Sequence, residues 1–160
     1  MREHTREEIE SAAKLARTDF YFYSRWMFLQ QRGYYWLQSD HHQTICDALM
    51  EVYRGECKRL IINIPPRYSK TELAIKNFIS WTLGHCPDSE YIYTSYSARL
   101  ASNFSWQTRE IVDSNEYREI FPNTILQSDS KAKDEWRTTA NGLVYSVGAG
   151  GSIKIGRAHV

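Results

Sequence analysis

The residues best placed to do chemistry are Ile64-Pro65-Pro66-Arg67-Tyr68-Ser69-Lys70-Thr71. They lie between an apolar run and a stretch with helical spacing, where a phosphate-binding loop would sit. A helix start offers unpaired N–H groups and the positive end of the helix dipole. A lysine just inside it reaches the β- and γ-phosphates of a nucleotide, and the following hydroxyl can ligate Mg²⁺. Lys70-Thr71 supplies that half of the GxxxxGK[ST] pattern. The glycine half is missing, because Ile64 and Ser69 stand where the pattern places glycines. Serine is the mildest replacement in a loop whose backbone must approach phosphate, yet it still carries a Cβ. Two readings stay open on these residues alone: a deviant phosphate loop, and a surface Lys-Thr pair on an ordinary strand–loop–helix.

Other clusters carry less. His41-His42 with Cys46 forms one short group and no second ligand pair follows, so a structural zinc site is disfavoured. The aromatic residues between 20 and 36 can stack on bases, but core or lid packing is the simpler reading. Arg99 and Arg109 can meet DNA or a neighbouring subunit; a solvated helix face is the plainer alternative.

The elements that must position the loop follow from periodicity. Thr5 and Glu8 fit a capping box, and Ile9, Ala12, Ala13 and Ala16 recur at helical spacing, so a helix starts near residue 6. The aromatic stretch reads as a helix ended by Gly33, packed across the main domain. Asp40 can cap a helix over residues 41–53 with Ile45, Leu49 and Val52 on one face, closed by Gly55. Leu60, Ile61, Ile62 and Ile64 read as a strand buried on both faces of a parallel sheet. Residues 71–84 read as a helix ending at Gly84, residues 90–96 as a strand, and residues 97–113 as a helix capped by Ser97 with Leu100, Phe104, Ile111 and Val112 inward. Asn141-Gly142 reads as a type I′ turn of a hairpin, and residues 148–151 as a flexible or backbone-approach segment. The alternation of strand and helix predicts an α/β layer fold.

Composition excludes little. The net charge of +1 gives no whole-chain case for nucleic acid, so such a role must rest on local features. Cys46, Cys57 and Cys86 are widely spaced without a CxxC pair, and read as reduced thiols of a cytoplasmic protein. No apolar run approaches the ~20 residues that span a bilayer, and the charged first ten residues lack the apolar core of a secretory signal.

The segment IPPRYSKTEL resembles the deviant Walker A loop of phage terminase large subunits, in which PPR-x-x-K-[ST] follows a hydrophobic strand. The likeness continues upstream in HHQTICDALMEVYRGECKRLIINIPP and downstream in YTSYSARLASNFSWQTREIVDSNEYREIFPNT. GAGGSI is similar to the glycine-rich stretch before that family's Walker B strand. Together the resemblance covers roughly residues 36–153. It implies an incomplete P-loop NTPase of the ASCE/RecA-like kind, a parallel sheet flanked by helices. Residues 1–55 would form an N-terminal helical, aromatic segment packed on the motor, and residues 56–154 a partial ATPase domain. It further implies ATP and Mg²⁺ as cofactors. Lys70 would hold the β/γ-phosphates, Thr71 the magnesium, and Arg67 would sense or stabilise the γ-phosphate; a solvated loop arginine is the alternative. The backbone from Pro66 through Arg67, Tyr68 and Ser69 to Lys70 would cradle phosphate oxygens. Gln43 or His42 would contact adenine, by analogy with a glutamine motif upstream of such loops.

The resemblance implies a function too: ATP-driven packaging of double-stranded DNA, in a homo-oligomeric ring on a portal protein with a small terminase subunit. The place of work would be the cytoplasm of the infected host cell, with no membrane contact. The acid-ended Walker B strand, its glutamate and a nuclease domain are not among the 160 residues, so the sequence reads as cut short and the piece as inactive alone. Residues 155–160 resemble the translation of a sequencing-library adapter; the native alternative joins Ala158-His159-Val160 to a Gly-Arg-Gly-Ala-like stretch. Two other classes remain. A helicase-like ATPase would usually keep the loop glycines and carry a DExx box. A binding module without a nucleotide site would gain no stability from ATP-Mg²⁺.

Overall fold

The computed structural model describes residues 5–128 and 132–150. The capping box forms: Thr5 Oγ1 accepts from the Glu8 N–H at 3.2 Å and Glu8 Oε2 accepts from the Thr5 N–H at 2.8 Å, starting α1 (Arg6–Thr18). Asp19 ends α1 and caps α2 (Phe20–Arg32), its Oδ1 accepting from the Phe22 N–H at 2.8 Å. Gly33, at φ 76°, ends α2 in the left-handed conformation that glycine adopts without a Cβ clash. One side of the aromatic run is core, with Phe20, Tyr23 and Met27 buried along α2, while Tyr34 and Tyr35 beyond it are exposed. In α3 (Asp40–Tyr53) the cap differs from expectation. Ser39 is the N-cap, without a side-chain bond, and Asp40 is the first helical residue, where its charge suits the helix dipole.

The expected strand at residues 60–64 does not form. Ile61 is 91% exposed, while Ile62 and Ile64 lean on the core. Burial alternates along the segment as for an extended chain touching the core on one side only. A strand needs ladder partners for its N–H and C=O groups, and among the described residues no strand pairs with this segment. The expected parallel pairing is present in one pair of strands, and the sheet as a whole is mixed. The chain is α/β with six α-helices and a three-stranded mixed sheet among the described residues, in the order β1 (Glu90–Ser95), β3 (Leu143–Gly148), β2 (Glu135–Arg137). β1 and β3 run parallel, from Glu90 opposite Leu143 to Ser95 opposite Gly148, and β2 is antiparallel to β3. Between them run α5 (Ala98–Asp113), capped by Ser97 as expected, and α6 (Asn115–Ile120). α5 turns Ala101, Ser105, Thr108, Ile111 and Val112 inward; Leu100 and Phe104 are only half-buried.

The hairpin between β2 and β3 is present, but its turn is not type I′, which needs positive φ at two central residues. Only Asn141 has it, at φ 70°, and the turn closes through Asn141 N–H to Thr138 O at 3.1 Å and Thr138 N–H to Gly142 O at 3.0 Å. Gly148 shows the expected close approach: a Cβ there would lie 2.6 Å from the Ala98 nitrogen. Residues 151–160, including the end of the glycine-rich segment and the suspected tail, lie outside the described residues.

One hydrophobic cluster joins α1–α3 to the helix that follows the loop, to α5 and α6, and to the sheet. Polar bonds pin the same contact. Trp81 Nε1 donates to Ala16 O at 2.9 Å, Tyr23 and Ser80 share a hydroxyl bond of 2.7 Å, and Arg17 donates to the carbonyls of Glu119 and Ile120. Gly84 does not end its helix. It sits inside α4 (Phe78–His85), where a Cβ would lie 2.4 Å from the Phe121 ring. Gly84→Leu is expected to lower unfolding free energy by about 1–3 kcal/mol through overpacking. The check is the urea midpoint at unchanged slope, and an unshifted midpoint would count against this packing.

Candidate functional site

The loop between Ile64 and the next helix is built from two prolines and two left-handed residues. Pro65 and Pro66 bring no N–H groups of their own. Arg67 has φ 69° and Ser69 has φ 61°, so the position where the phosphate-loop pattern wants glycine adopts a glycine-like backbone. The helix begins at Lys70 and passes through a π-helical segment, Glu72–Asn77, before α4. Its first bond at the loop is Leu73 N–H to Ser69 O, 3.0 Å. The N–H groups of residues 67–72 meet no acceptor among the described residues. A run of free N–H groups in a loop with left-handed residues, leading into a helix start, is the arrangement that anions fill.

These residues share a concavity of about 510 Å³, lined by Ile64, Pro65, Pro66, Arg67, Ser69, Lys70, Thr71 and Glu72, with Phe28 from α2. Arg67 and Lys70 are exposed, whereas Ser69 and Thr71 are half-buried. Thr71 Oγ1 makes no hydrogen bond among the described residues, so its lone pairs are open to a cation. Glu72 is the carboxylate of this lining, and it is ion-paired with Lys76, whose side chain is only 7% exposed. That pairing offsets its charge and leaves the mouth of the concavity positive. The donors present thus fit a nucleotide phosphate chain: free amides, a lysine, an arginine and a hydroxyl.

Tyr68 leaves the cradle and packs on α3. Its ring lies 5.5 Å from that of His41, which stacks on His42 at 4.0 Å. His42 meets Trp36 at 4.7 Å, Trp36 meets Phe28 at 5.2 Å, and Phe28 meets Tyr34 at 5.4 Å. This chain of rings ties the loop tip to α3 and α2. Sequence reasoning missed Phe28, because only its place in the aromatic run marked it. Gln43 sits elsewhere. It is exposed, its Nε2 donates to Asp47 at 2.7 Å, and it borders a different groove with Asp19, Cys46 and Arg54. His42 is buried against Trp36 and likewise does not line the concavity. Arg109 is not on a solvated face: its side chain is 11% exposed, paired with Glu110 at 3.5 Å and 5.3 Å over the Trp106 ring. The three cysteines are free thiols, and burial pushes the Cys46 thiol up to about 12.

Two consequences are measurable. A left-handed residue with a Cβ costs roughly 1 kcal/mol more than glycine there, partly offset by the greater freedom glycine gives the unfolded chain. Ser69→Gly is therefore expected to raise stability by up to about 1 kcal/mol. A loss of stability on chemical denaturation would contradict the loop geometry. The second concerns pH. Burial lowers the pKa of His42, aided by the charge of His41, and burial also lowers that of His85. Both imidazoles take up a proton less readily in the fold than in the unfolded chain, so the unfolded chain binds more protons as pH falls through the ordinary histidine value of about 6.5. Their contribution is complete above that value and is lost as pH falls through the lowered folded values. The urea midpoint should fall between about pH 7.5 and 5.5, and less so in His42→Phe; equal falls in both proteins would assign the loss to other groups.

No protein-family model, characterised protein or solved structure matches the chain. Among the described residues no helix is long and apolar enough to cross a membrane.

Proposed function

We propose that the chain binds ATP with Mg²⁺ in the loop concavity and is the nucleotide-binding part of a DNA-packaging motor of the terminase large subunit kind. The observation that carries this reading is the backbone: Arg67 and Ser69 in the left-handed region and the N–H groups of residues 67–72 without acceptors, placed directly before Lys70-Thr71. Free N–H groups at a helix start hold phosphate oxygens, and Lys70 adds the charge that favours the β- and γ-phosphates. Arg67, on the same lining, would meet the terminal phosphate, where charge builds as it departs. Thr71 offers its hydroxyl to the magnesium, and Phe28 with Ile64 and Pro65 closes the apolar side. The magnesium, when bound, neutralises phosphate charge and sets the chain of phosphates in one geometry. The resemblance in residues 36–153 extends the proposal from nucleotide binding to movement of double-stranded DNA. It also places the work in an infected cell's cytoplasm, in a ring of like subunits at a portal with a small terminase subunit. A ligand favouring one of two motor conformations shifts their populations, and DNA would move with that shift.

Thermal denaturation with and without ATP-Mg²⁺ tests the binding step. A ligand at a hundred times its Kd should stabilise the fold by roughly 2.7 kcal/mol. Stabilisation by ATP and ADP but not by adenosine is expected. No stabilisation by any nucleotide at millimolar concentration would leave the chain as an α/β module without this site.

A further inference from the structure

A second basic feature lies away from the loop. A groove of about 390 Å³ is lined by Arg99, Leu100, Ser102, Asn103, Trp106 and Lys133. No carboxylate lines it among the described residues, although the whole chain is nearly neutral at +1. Two cations address the same indole: Lys133 Nζ lies 5.7 Å and Arg109 Cζ 5.3 Å from the Trp106 ring centroid. Such contacts hold long, flexible cations in place and reduce the entropy lost when they meet an anion. Lys133 is further anchored by its neighbour, since the Asp134 carbonyl accepts from the Ser146 N–H of β3 at 2.7 Å. Arg99 stands in the first turn of α5 and is exposed. The groove's place in the fold is also informative. Ser95 and Gly148 end the parallel pair side by side, the Ala149 N–H donates to Ser95 O at 2.7 Å, and Gly148 abuts Ala98 at the start of α5. Arg99, next to Ala98, therefore stands near the carboxyl ends of the parallel strands, where α/β sheets gather ligands.

We infer that the groove formed by Arg99, Ser102, Asn103, Trp106 and Lys133 binds the phosphodiester backbone of a nucleic acid. Arg99 and Lys133 face phosphates, and Ser102 and Asn103 donate hydrogen bonds to them. Contacts to phosphates carry no sequence information, so binding through them is independent of base sequence. It is also separate from the nucleotide loop, because no residue is shared between the two linings.

The test is anisotropy of a labelled duplex and of the single strand of the same sequence, titrated with the full chain across a salt series. Binding is expected with little dependence on sequence. Arg99→Ala and Lys133→Ala should each weaken it about tenfold, and the double variant should flatten the log K against log salt slope by about two. Lys133→Arg should keep the slope, and Lys70→Ala should keep duplex binding, so failure here is distinguishable from failure at the nucleotide loop. Duplex tighter than single strand identifies the duplex backbone as the natural ligand; the reverse order identifies a displaced strand. Undiminished affinity and slope in the double variant, with its melting temperature unchanged, overturns the inference. So does wild-type protein that binds neither strand form at low salt, or whose binding is abolished by millimolar inorganic phosphate at constant ionic strength.

Discussion

Lys70→Ala is expected to weaken ATP-Mg²⁺ binding by roughly ten- to a hundred-fold while leaving the stability of the unliganded chain within about 0.5 kcal/mol of wild type. Lys70 is exposed and makes no ion pair among the described residues, so the fold does not depend on it. Its charged contacts to phosphate would each contribute about 1.5–3 kcal/mol, and every 1.4 kcal/mol is tenfold in affinity. Lys70→Arg should not fully restore binding, because the planar fork cannot take the place of a compact ammonium against a phosphate chain. Calorimetric titration of the two variants checks this. Wild-type affinity in Lys70→Ala would show that the lysine is a surface group and that any bound nucleotide sits elsewhere.

Trp136→Ala is expected to be the most damaging single change to the fold, costing about 3–5 kcal/mol. Trp136 is fully buried, and its Nε1 donates to Ser105 Oγ at 3.0 Å. It sits in β2, which has only three residues and depends on this side chain to hold the strand against α5. Truncation leaves a cavity and removes the partner of a buried hydroxyl, two costs that add. A native stability at the low end of the usual range, about 5 kcal/mol, would be largely consumed. Trp136→Phe should cost less, since ring volume is mostly kept while Ser105 loses its donor. Chemical denaturation of both variants gives the comparison; a loss under about 1 kcal/mol in Trp136→Ala would mean the hairpin packs without it.

The helices were legible because their signals are local. A capping box at Thr5 and Glu8, a cap at Ser97 and a left-handed Gly33 act within one turn of chain, and each stands where the residues placed it. The misread elements depend on distant partners. Residues 60–64 have the composition of a buried strand, but a strand exists only with neighbours to complete its ladder, and composition cannot supply them. Gly84 has the look of a helix stop and is instead a contact point for Phe121, which lies 37 positions later. Asn141-Gly142 signals a turn correctly but not its type, because the bond from Thr138 sets the closure. In the loop, the residue types of Lys70 and Thr71 were readable, while the left-handed backbone at Arg67 and Ser69 was not, since neither is a residue that prefers it. Phe28 reached the concavity through the packing of α2, which no spacing rule near the loop reveals.

The most direct test of the nucleotide site is to follow the backbone amides of residues 67–72 by two-dimensional NMR as ATP-Mg²⁺ is added. The account predicts that these amide protons shift downfield together, as groups without acceptors gain phosphate oxygens, and that adenosine leaves them in place. Shifts confined to other parts of the chain, or none in this loop at saturating nucleotide, would contradict it.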